Sequence, residues 1–270
     1  MKIGFIIPAR LKSERLPKKI LLRLKGKTIL EWTIERAKMI DYIDEVVVAT
    51  TNLKSDSEIT KICIENNVRY YQGDPDDVLK RIKDTMEFFD FDYALNITPD
   101  NPLFSYYLGN ILADIIKNSN QNYDFLKFDN VPLGTMIYGL NRNCVRTICE
   151  FKDIIDTEVW GPLIKEEYFN VLKIKAPDMF DREYRLTLDT FQDFEMIRKI
   201  FNSIQKENKK PVDFSTVIDF LDKNKTIADI NKNIIQKPVN PELLKKVDEL
   251  FQDNFNEFLE LKKKYYEERG

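Results

Sequence analysis

The chain has 270 residues, with 42 Lys and Arg against 45 Asp and Glu, for a formal net charge of −3. An apolar share of 43% and a charged share of 32% describe a globular chain, since disordered chains are poorer in Ile, Leu and Phe. A near-neutral balance excludes bulk charge as a route to nucleic acid, and no apolar run approaches the ~20 residues of a membrane span, so neither nucleic-acid binding nor membrane insertion is expected.

The opening MKIGFIIPAR has too short an apolar stretch for a signal peptide, and a cytoplasmic location is expected. Cys63, Cys144 and Cys149 are widely spaced and odd in number, which fits neither a disulfide framework nor a cysteine zinc site. They read as packing residues in a reducing compartment. With 0 histidines, the chain cannot supply Ser-His-Asp or Cys-His chemistry, or a histidine-ligated zinc. Its chemistry must use carboxylates, Lys, Arg, hydroxyls, or a metal held by oxygen.

The first half alternates strand and helix. Ile3 to Pro8 is a continuous apolar run, the pattern of a strand buried on both faces. Thr28 and Glu31 have capping-box spacing and open a helix to about Ile40. Glu45 to Thr51 is a second buried strand, and Ser55 with Glu58 reads as another capping box. Val68 to Tyr71 is a short strand, Asp77 to Phe89 a helix, Tyr93 to Thr98 a strand, and Tyr106 to Lys117 a helix. Buried strands alternating with helices imply an α/β fold, a Rossmann-like, mostly parallel sheet with helices on both faces.

The second half is less regular. Tyr123 to Phe128 and Thr135 to Leu140 read as strands, Asn141 to Phe151 as a helix, and Phe169 to Ile174 as extended. Thr190 to Lys206 is a helix with Phe194, Ile197, Ile200, Phe201 and Ile204 on one face, and Thr216 to Asp222 a shorter one. A boundary near Gln236 to Asn240 divides residues 1–235 from a helical extension, 236–270. Asn240-Pro241 is a helix start, a capping Asn followed by Pro at the first helical position. The helix is expected to run to about Glu267, with an apolar stripe from Leu243 to Leu259 that either packs on its own domain or meets a second subunit, leaving a homodimer open.

Four segments carry candidate chemistry. Pro8 to Lys19 follows the first buried strand, and Arg10, Lys12, Arg15, Lys18 and Lys19 place five cations in ten positions. Ligands of open parallel sheets bind beyond the carboxyl ends of the strands. A basic loop there suits a polyphosphate, since Arg offers a planar fork to phosphate oxygens and Lys a point charge. Its plainer reading is a solvated basic loop. In Asn96 to Phe104, Asp100 sits past a buried strand on the same edge, where a carboxylate is a natural Mg²⁺ ligand or a helix cap. In Arg185 to Ile197, Asp189 precedes a helix and reads as cap or ligand. In Gly73 to Arg81 the acids read as turn and helix-start charges. Gly26-Lys27-Thr28 is not a P-loop, because position 21 is Leu.

Taken together, these segments resemble the nucleotidyltransferases that activate sugars with CTP. The likeness is to the SpsF-type spore-coat polysaccharide proteins, which are similar to CMP-KDO synthetases and acylneuraminate cytidylyltransferases. Ala9, Arg10, Ser13, Arg15, Leu16, Pro17 and Lys19 match A-R-x-x-S-x-R-L-P-x-K. Gly73, Asp77, Val78, Leu79 and Arg81 match G-x-x-x-D-V-L-x-R. Thr98, Asp100, Pro102 and Leu103 match T-x-D-x-P-L, and Arg185 to Phe194 matches R-L-T-x-D-T-x-x-D-F. These motifs stand in the family's order, to roughly Ile230.

The resemblance implies a nucleotide-diphospho-sugar transferase domain that moves CMP from CTP to a small-molecule acceptor. It implies that Arg10, Arg15 and Lys19, with Ser13 and the backbone around Pro8 and Ala9, hold the triphosphate, and that Asp100 and Asp189 coordinate Mg²⁺. Ala49, Thr50, Gly73, Asp77 and Arg81 would border the base and ribose. Arg10, Arg15, Lys19 and Asp100 are the expected catalytic set.

The chain departs from the pattern in three places. Lys18 stands where the family often has Gly. The segment Asp156 to Pro162 replaces an R-E-H-V-T-P-Y-like run and lacks its His. The helix from Asn240 is additional. Two alternatives are a glycosyltransferase of similar fold using Asp90-Phe91-Asp92 as a metal motif, and a non-catalytic nucleotide-binding partner subunit.

Overall fold

A computed structural model of the chain describes residues 1–267 apart from 14 and 208. In chain order the strands are β1 (Ile3–Pro8), β2 (Arg23–Leu24), β3 (Lys27–Thr28), β4 (Glu45–Thr51), β5 (Arg69–Gly73), β6 (Tyr93–Asn96), β7 (Phe125–Asp129), β8 (Tyr138–Asn141) and β9 (Val171–Lys175). The helices are α1 (Ile29–Ala37), α2 (Ser57–Glu65), α3 (Val78–Phe88), α4 (Tyr106–Asn118), α5 (Arg142–Phe151), α6 (Phe191–Ile204), α7 (Phe214–Lys223), α8 (Lys225–Ala228), α9 (Pro241–Asp253) and α10 (Phe255–Glu267).

Seven strands form one sheet in the order β5-β4-β1-β6-β8-β7-β9. β1 pairs in parallel with β4 and β6, and β4 with β5. β8 runs antiparallel to both neighbours, β6 and β7, while β9 returns parallel to β7. The strand order reverses direction between β1 and β6. At such a switch point the connections leave the sheet to opposite sides, and a crevice opens beyond the carboxyl ends of the two strands.

Alternation along the strands explains the two-faced core. Phe5 and Ile7 of β1 and Val46 and Val48 of β4 join one apolar cluster with α1, α4 and α6. Ile6, Val47 and Ala49 point the other way, into a second cluster with α3 and α5. Successive side chains of a strand face opposite sides, so strands buried on both faces read as unbroken apolar runs.

The expected elements recur with ends shifted by a few residues, and two local readings are corrected. Thr28 and Glu31 do form a capping box on α1, but Ser55 and Glu58 do not cap α2. That helix starts at Ser57 after a 3₁₀ turn at Lys54–Asp56. The carboxylate of Asp56 is taken by the backbone N–H of Leu11 at 2.9 Å and by the Thr51 hydroxyl. The single C-terminal helix is instead two. α9 ends at Asn254, whose backbone N–H donates to Leu250 O and whose side chain donates to the same carbonyl.

Val247, Leu250, Phe251 and Phe258 of this pair are buried within the chain, in the cluster that holds α3 and α5. Phe151 of α5 sits 4.9 Å from Phe251 and 5.2 Å from Phe258, ring centre to ring centre. Leu244 and Leu259 stay exposed. No helix among the described residues is long and apolar enough to cross a membrane.

Candidate active site

A cleft of about 1420 Å³ opens at the β1/β6 switch point. Pro8, Arg10, Lys12, Ser13, Arg15 and Lys19 line one side, and Thr98, Asp100, Thr187 and Asp189 line its floor. Asp153 to Trp160, Gln236 to Asn240 and one face of α9 form the opposite wall.

The floor is assembled by backbone bonds between segments far apart in sequence. The N–H of Leu188 donates to Asp100 O at 2.8 Å, which sets Asp189 beside Asp100. The Arg185 segment is held in turn by Leu133, through Leu186 N to Leu133 O at 2.7 Å and Leu133 N to Tyr184 O at 3.1 Å. Gly134 makes this approach feasible. Its φ is +92°, and a Cβ there would lie 2.5 Å from Thr187 N, so a side chain would meet backbone as well as strain.

Each carboxylate has one oxygen tied to the protein and one turned to a shared cation. Thr98 Oγ1 donates to Asp100 Oδ1 at 2.5 Å and Asn101 Nδ2 donates to it at 3.1 Å. Arg15 and Arg185 reach Asp189 Oδ2 at 3.1 and 3.0 Å. The remaining oxygens, Asp100 Oδ2 and Asp189 Oδ1, both accept from Lys19 Nζ, at 2.5 and 2.8 Å. Burial by itself lowers the affinity of the Lys19 amine for its proton, and the charges of Asp100 and Asp189 outweigh it, so its pKa is raised. Burial likewise works to raise the Asp189 pKa, and Lys19, Arg15 and Arg185 together pull it below the usual value.

Behind the floor lies a buried ionic network. Arg185 is 7% exposed and bonds Asp193 Oδ1 at 2.9 Å and Gln236 Oε1 at 2.6 Å. Asn231 Nδ2 donates to Arg185 O at 2.9 Å and to Asp193 Oδ1 at 2.8 Å. Asp193 also completes the capping box with Thr190 at the start of α6. The motif reading singled out Asp189 and missed the work of Arg185, Asn231 and Gln236. Arg185 sits four residues before Asp189 and eight before Asp193, and that spacing of one cation to two acids was the available signal.

Not every expected contact residue faces the cleft. Ala49 and Thr50 are buried behind it, where Ala49 O accepts from Ala9 N at 3.0 Å and from Arg81 Nε at 3.0 Å. Ala9 is buried with them, while Gly73 stands at the end of β5 outside the cleft lining. Asp77 caps α3 through Lys80 N at 2.9 Å, pairs with the buried Lys152 and accepts from Thr157 Oγ1 at 2.7 Å. Asp77 is thus buried at 5% exposure and bonded to three protein groups, and it lies with Ala49, Thr50 and Gly73 outside the cleft lining.

Arg81 does reach the cleft wall; burial and then Arg10 lower its pKa to about 10, leaving it charged at neutral pH. Arg10 spans the two walls, with Nη2 bonded to Glu158 at 2.9 Å. Lys18 is not at the floor: its side chain pairs with Glu58 at 3.4 Å, and its φ is +53°. The loop thus keeps the left-handed conformation a glycine would supply. Asp90 and Asp92, the expected metal motif of a glycosyltransferase, precede β6 and are bonded by Arg142 at 2.6 and 3.0 Å, at the opposite end of the sheet.

The floor fits a hard divalent cation. Two carboxylate oxygens already converge on one positive charge, and Mg²⁺ is usually held by one or two carboxylates with substrate phosphates completing its shell. Among the described residues no three acidic, cysteine or histidine side chains form a metal cluster.

A mostly parallel sheet thus carries a basic loop and paired carboxylates at its switch point. The chain belongs to the cytidylyltransferase family, whose match spans residues 4–267 and so runs through α9 and α10, beyond the motifs. It is 35% identical over 242 residues to an uncharacterized protein of Methanocaldococcus jannaschii, covering 88% of this chain and 97% of that one. It is 29% identical over 236 residues to the spore coat polysaccharide biosynthesis protein SpsF of Bacillus subtilis, covering 84% and 96%. The fold is shared with a cytidylyltransferase structure from Leptospira borgpetersenii, at a TM-score of 0.78, 24% identity, and coverage of 89% and 100%.

Proposed function

We propose that this cytidylyltransferase binds CTP with Mg²⁺ in the cleft and transfers CMP to a sugar or phosphorylated small molecule, releasing pyrophosphate. Likeness to a spore coat polysaccharide protein supports a role in making a surface glycan precursor. The observation that carries this reading is the floor itself, where Asp100 and Asp189 aim one oxygen each at a single cation beneath a loop of Arg and Lys.

In this reading Arg15, Lys19 and Ser13 bind the triphosphate, and Arg10 and Arg81 guard its edge. An acceptor oxygen attacks the α-phosphorus in line, the bond to the bridging oxygen breaks, and that oxygen leaves with pyrophosphate. A divalent ion held by Asp100 and Asp189 supplies charge neutralisation at the α-phosphate. Lys19 and Arg15 meet the charge that builds on the leaving group, from positions fixed before reaction. An acceptor phosphate or phosphonate is already a nucleophile. A hydroxyl must lose a proton, for which Asp153, Asp156 and Glu158 of the opposite wall are the candidate bases.

The acceptor lies against the wall formed by residues 153–160, 236–240 and α9. That wall carries Asp153, Asp156, Glu158, Glu242, Glu249 and Asp253 beside Lys237 and Lys246, with the indole of Trp160 among them. The test is pyrophosphate release from CTP across a panel of sugars, sugar phosphates and polyol phosphates with Mg²⁺. Release with one acceptor class, abolished in Asp189→Ala, is the expected result. Hydrolysis-level release with every acceptor and every nucleotide would contradict the proposal.

A further inference from the structure

We infer that Lys19 is a built-in stand-in for the divalent cation, so that the floor accepts the metal only together with the nucleotide. The inference rests on the proposed metal and nucleotide roles of the floor and concerns the order in which the ligands are taken up.

Three observations carry it. First, Lys19 Nζ uses the same two oxygens that a bridging metal would use, Asp100 Oδ2 at 2.5 Å and Asp189 Oδ1 at 2.8 Å. The other oxygens are held by Thr98 and Asn101 on one side and by Arg15 and Arg185 on the other, so Lys19 occupies the oxygen of each carboxylate that those side chains leave. Mg²⁺ binds oxygen at about 2.0–2.1 Å, and an ammonium left in place would be in van der Waals contact with an ion on those oxygens.

Second, the charges already cancel. Arg15, Lys19 and Arg185 stand against Asp100, Asp189 and Asp193 within this one network. A free divalent ion entering it would displace one bonded charge and leave the floor with a net positive charge. A metal–triphosphate complex is an anion, and it brings acceptors for the displaced ammonium.

Third, Lys19 is placed to move a short way without leaving the cleft. It begins a 3₁₀ turn, Lys19–Leu21, in the basic loop, next to Lys18 in the left-handed conformation. Ser13 and Arg15 of the same loop line the adjoining space. Lys19 therefore keeps one oxygen of each carboxylate aimed at a single point while the floor holds no metal. When the nucleotide arrives with its metal, Lys19 passes from the carboxylates to the phosphates, where its charge is next needed.

The test is Mn²⁺ binding to the protein, followed by the loss of the free-ion signal in electron paramagnetic resonance beyond that of protein-free Mn²⁺–CTP solutions, with and without CTP and with no acceptor present. Wild-type protein is expected to bind Mn²⁺ at the floor at least tenfold more tightly with CTP than without it. In the absence of nucleotide, Lys19→Met and Lys19→Gln are expected to bind Mn²⁺ at least tenfold more tightly than wild type while losing CTP affinity, and Asp189→Asn added to either should remove the gain.

Thermal melts establish that the variants are folded. Should neither variant fold, the wild-type comparison alone decides, since equal Mn²⁺ affinity with and without CTP overturns the inference. It is also overturned if a folded Lys19 variant binds free Mn²⁺ no better than wild type. If wild type takes up no Mn²⁺ even with CTP, the metal role proposed for the floor fails, and the inference fails with it.

Discussion

The two walls of the cleft are built on different principles. On the proposed nucleotide side, charged groups are paired before any ligand arrives: Lys19 with two carboxylates, Arg15 with Asp189, and Arg185 with Asp189 and Asp193. Their segments are cross-linked by backbone bonds from Leu188 to Asp100 and from Leu186 to Leu133. On the proposed acceptor side, the charges of α9 face solvent, and Glu242, Lys246 and Glu249 are exposed. Rigid, pre-paired groups suit chemistry common to a family. A wall whose charges face outward is where acceptor choice can vary without disturbing it.

Breaking the paired side should have the largest effect. Arg185→Met removes a buried guanidinium and leaves Asp193, fully buried, facing fewer partners. Removal of one partner from such a pair costs about 3 kcal/mol or more, to be read by urea denaturation. Arg185→Lys should recover part of it, since an ammonium restores charge but not the fork that spans both acids. An Arg185→Met variant as stable as wild type would show that the network carries no load.

On the other wall, Lys246→Ala should leave CTP affinity within about twofold and stability within about 0.5 kcal/mol, as for an exposed position, while the acceptor KM changes severalfold. Steady-state kinetics with both substrates varied separates these. A change in CTP affinity as large as that in acceptor KM would dissolve the distinction between the walls.

The paired floor also sets a pH window. The Asp189 pKa lies below its usual 3.8 in the folded protein, so its contribution to stability is present above 3.8 and is lost as pH falls through the lowered value. Lys19 is raised above 10.5, so its contribution is present below 10.5 and lost as pH rises through the raised value. The stability gap between wild type and Asp189→Asn should therefore be flat at neutral pH and close in acid below 3.8, as measured by denaturation at a series of pH values.

The smallest effect concerns Lys18. A left-handed backbone costs a residue with a side chain about 1–2 kcal/mol, and glycine returns part of that as unfolded-state entropy. Lys18→Gly should stabilise by about 0.5 kcal/mol, since only an exposed pair with Glu58 is lost.

Most of the paired side was legible in the sequence. Strands buried on both faces leave unbroken apolar runs, and the loops that follow β1 and β6 announce themselves by five cations and by Asp100. What was not legible was which motif residues face the cleft. Asp77 shares a segment with Arg81, yet it pairs with Lys152 and Thr157, 75 and 80 residues away. No local spacing encodes such partners.

The break at Asn254 was hidden for a related reason. Apolar residues continue on both sides of it at helical spacing, and only the packing of Phe251 and Phe258 around Phe151 shows where the chain turns. The Lys18 loop is the reverse case. The sequence departs from the pattern, and the backbone nevertheless keeps the glycine-type conformation.

The central claim is that the paired floor binds CTP through a divalent cation. Calorimetric titration of CTP, UTP, GTP and ATP with Mg²⁺, on wild type and Asp100→Ala, tests it most directly. Saturable, Mg²⁺-dependent binding of CTP in preference to the other three, weakened at least tenfold in Asp100→Ala, is the expected result. Binding of no triphosphate, or CTP binding indifferent to both Mg²⁺ and Asp100, would contradict it.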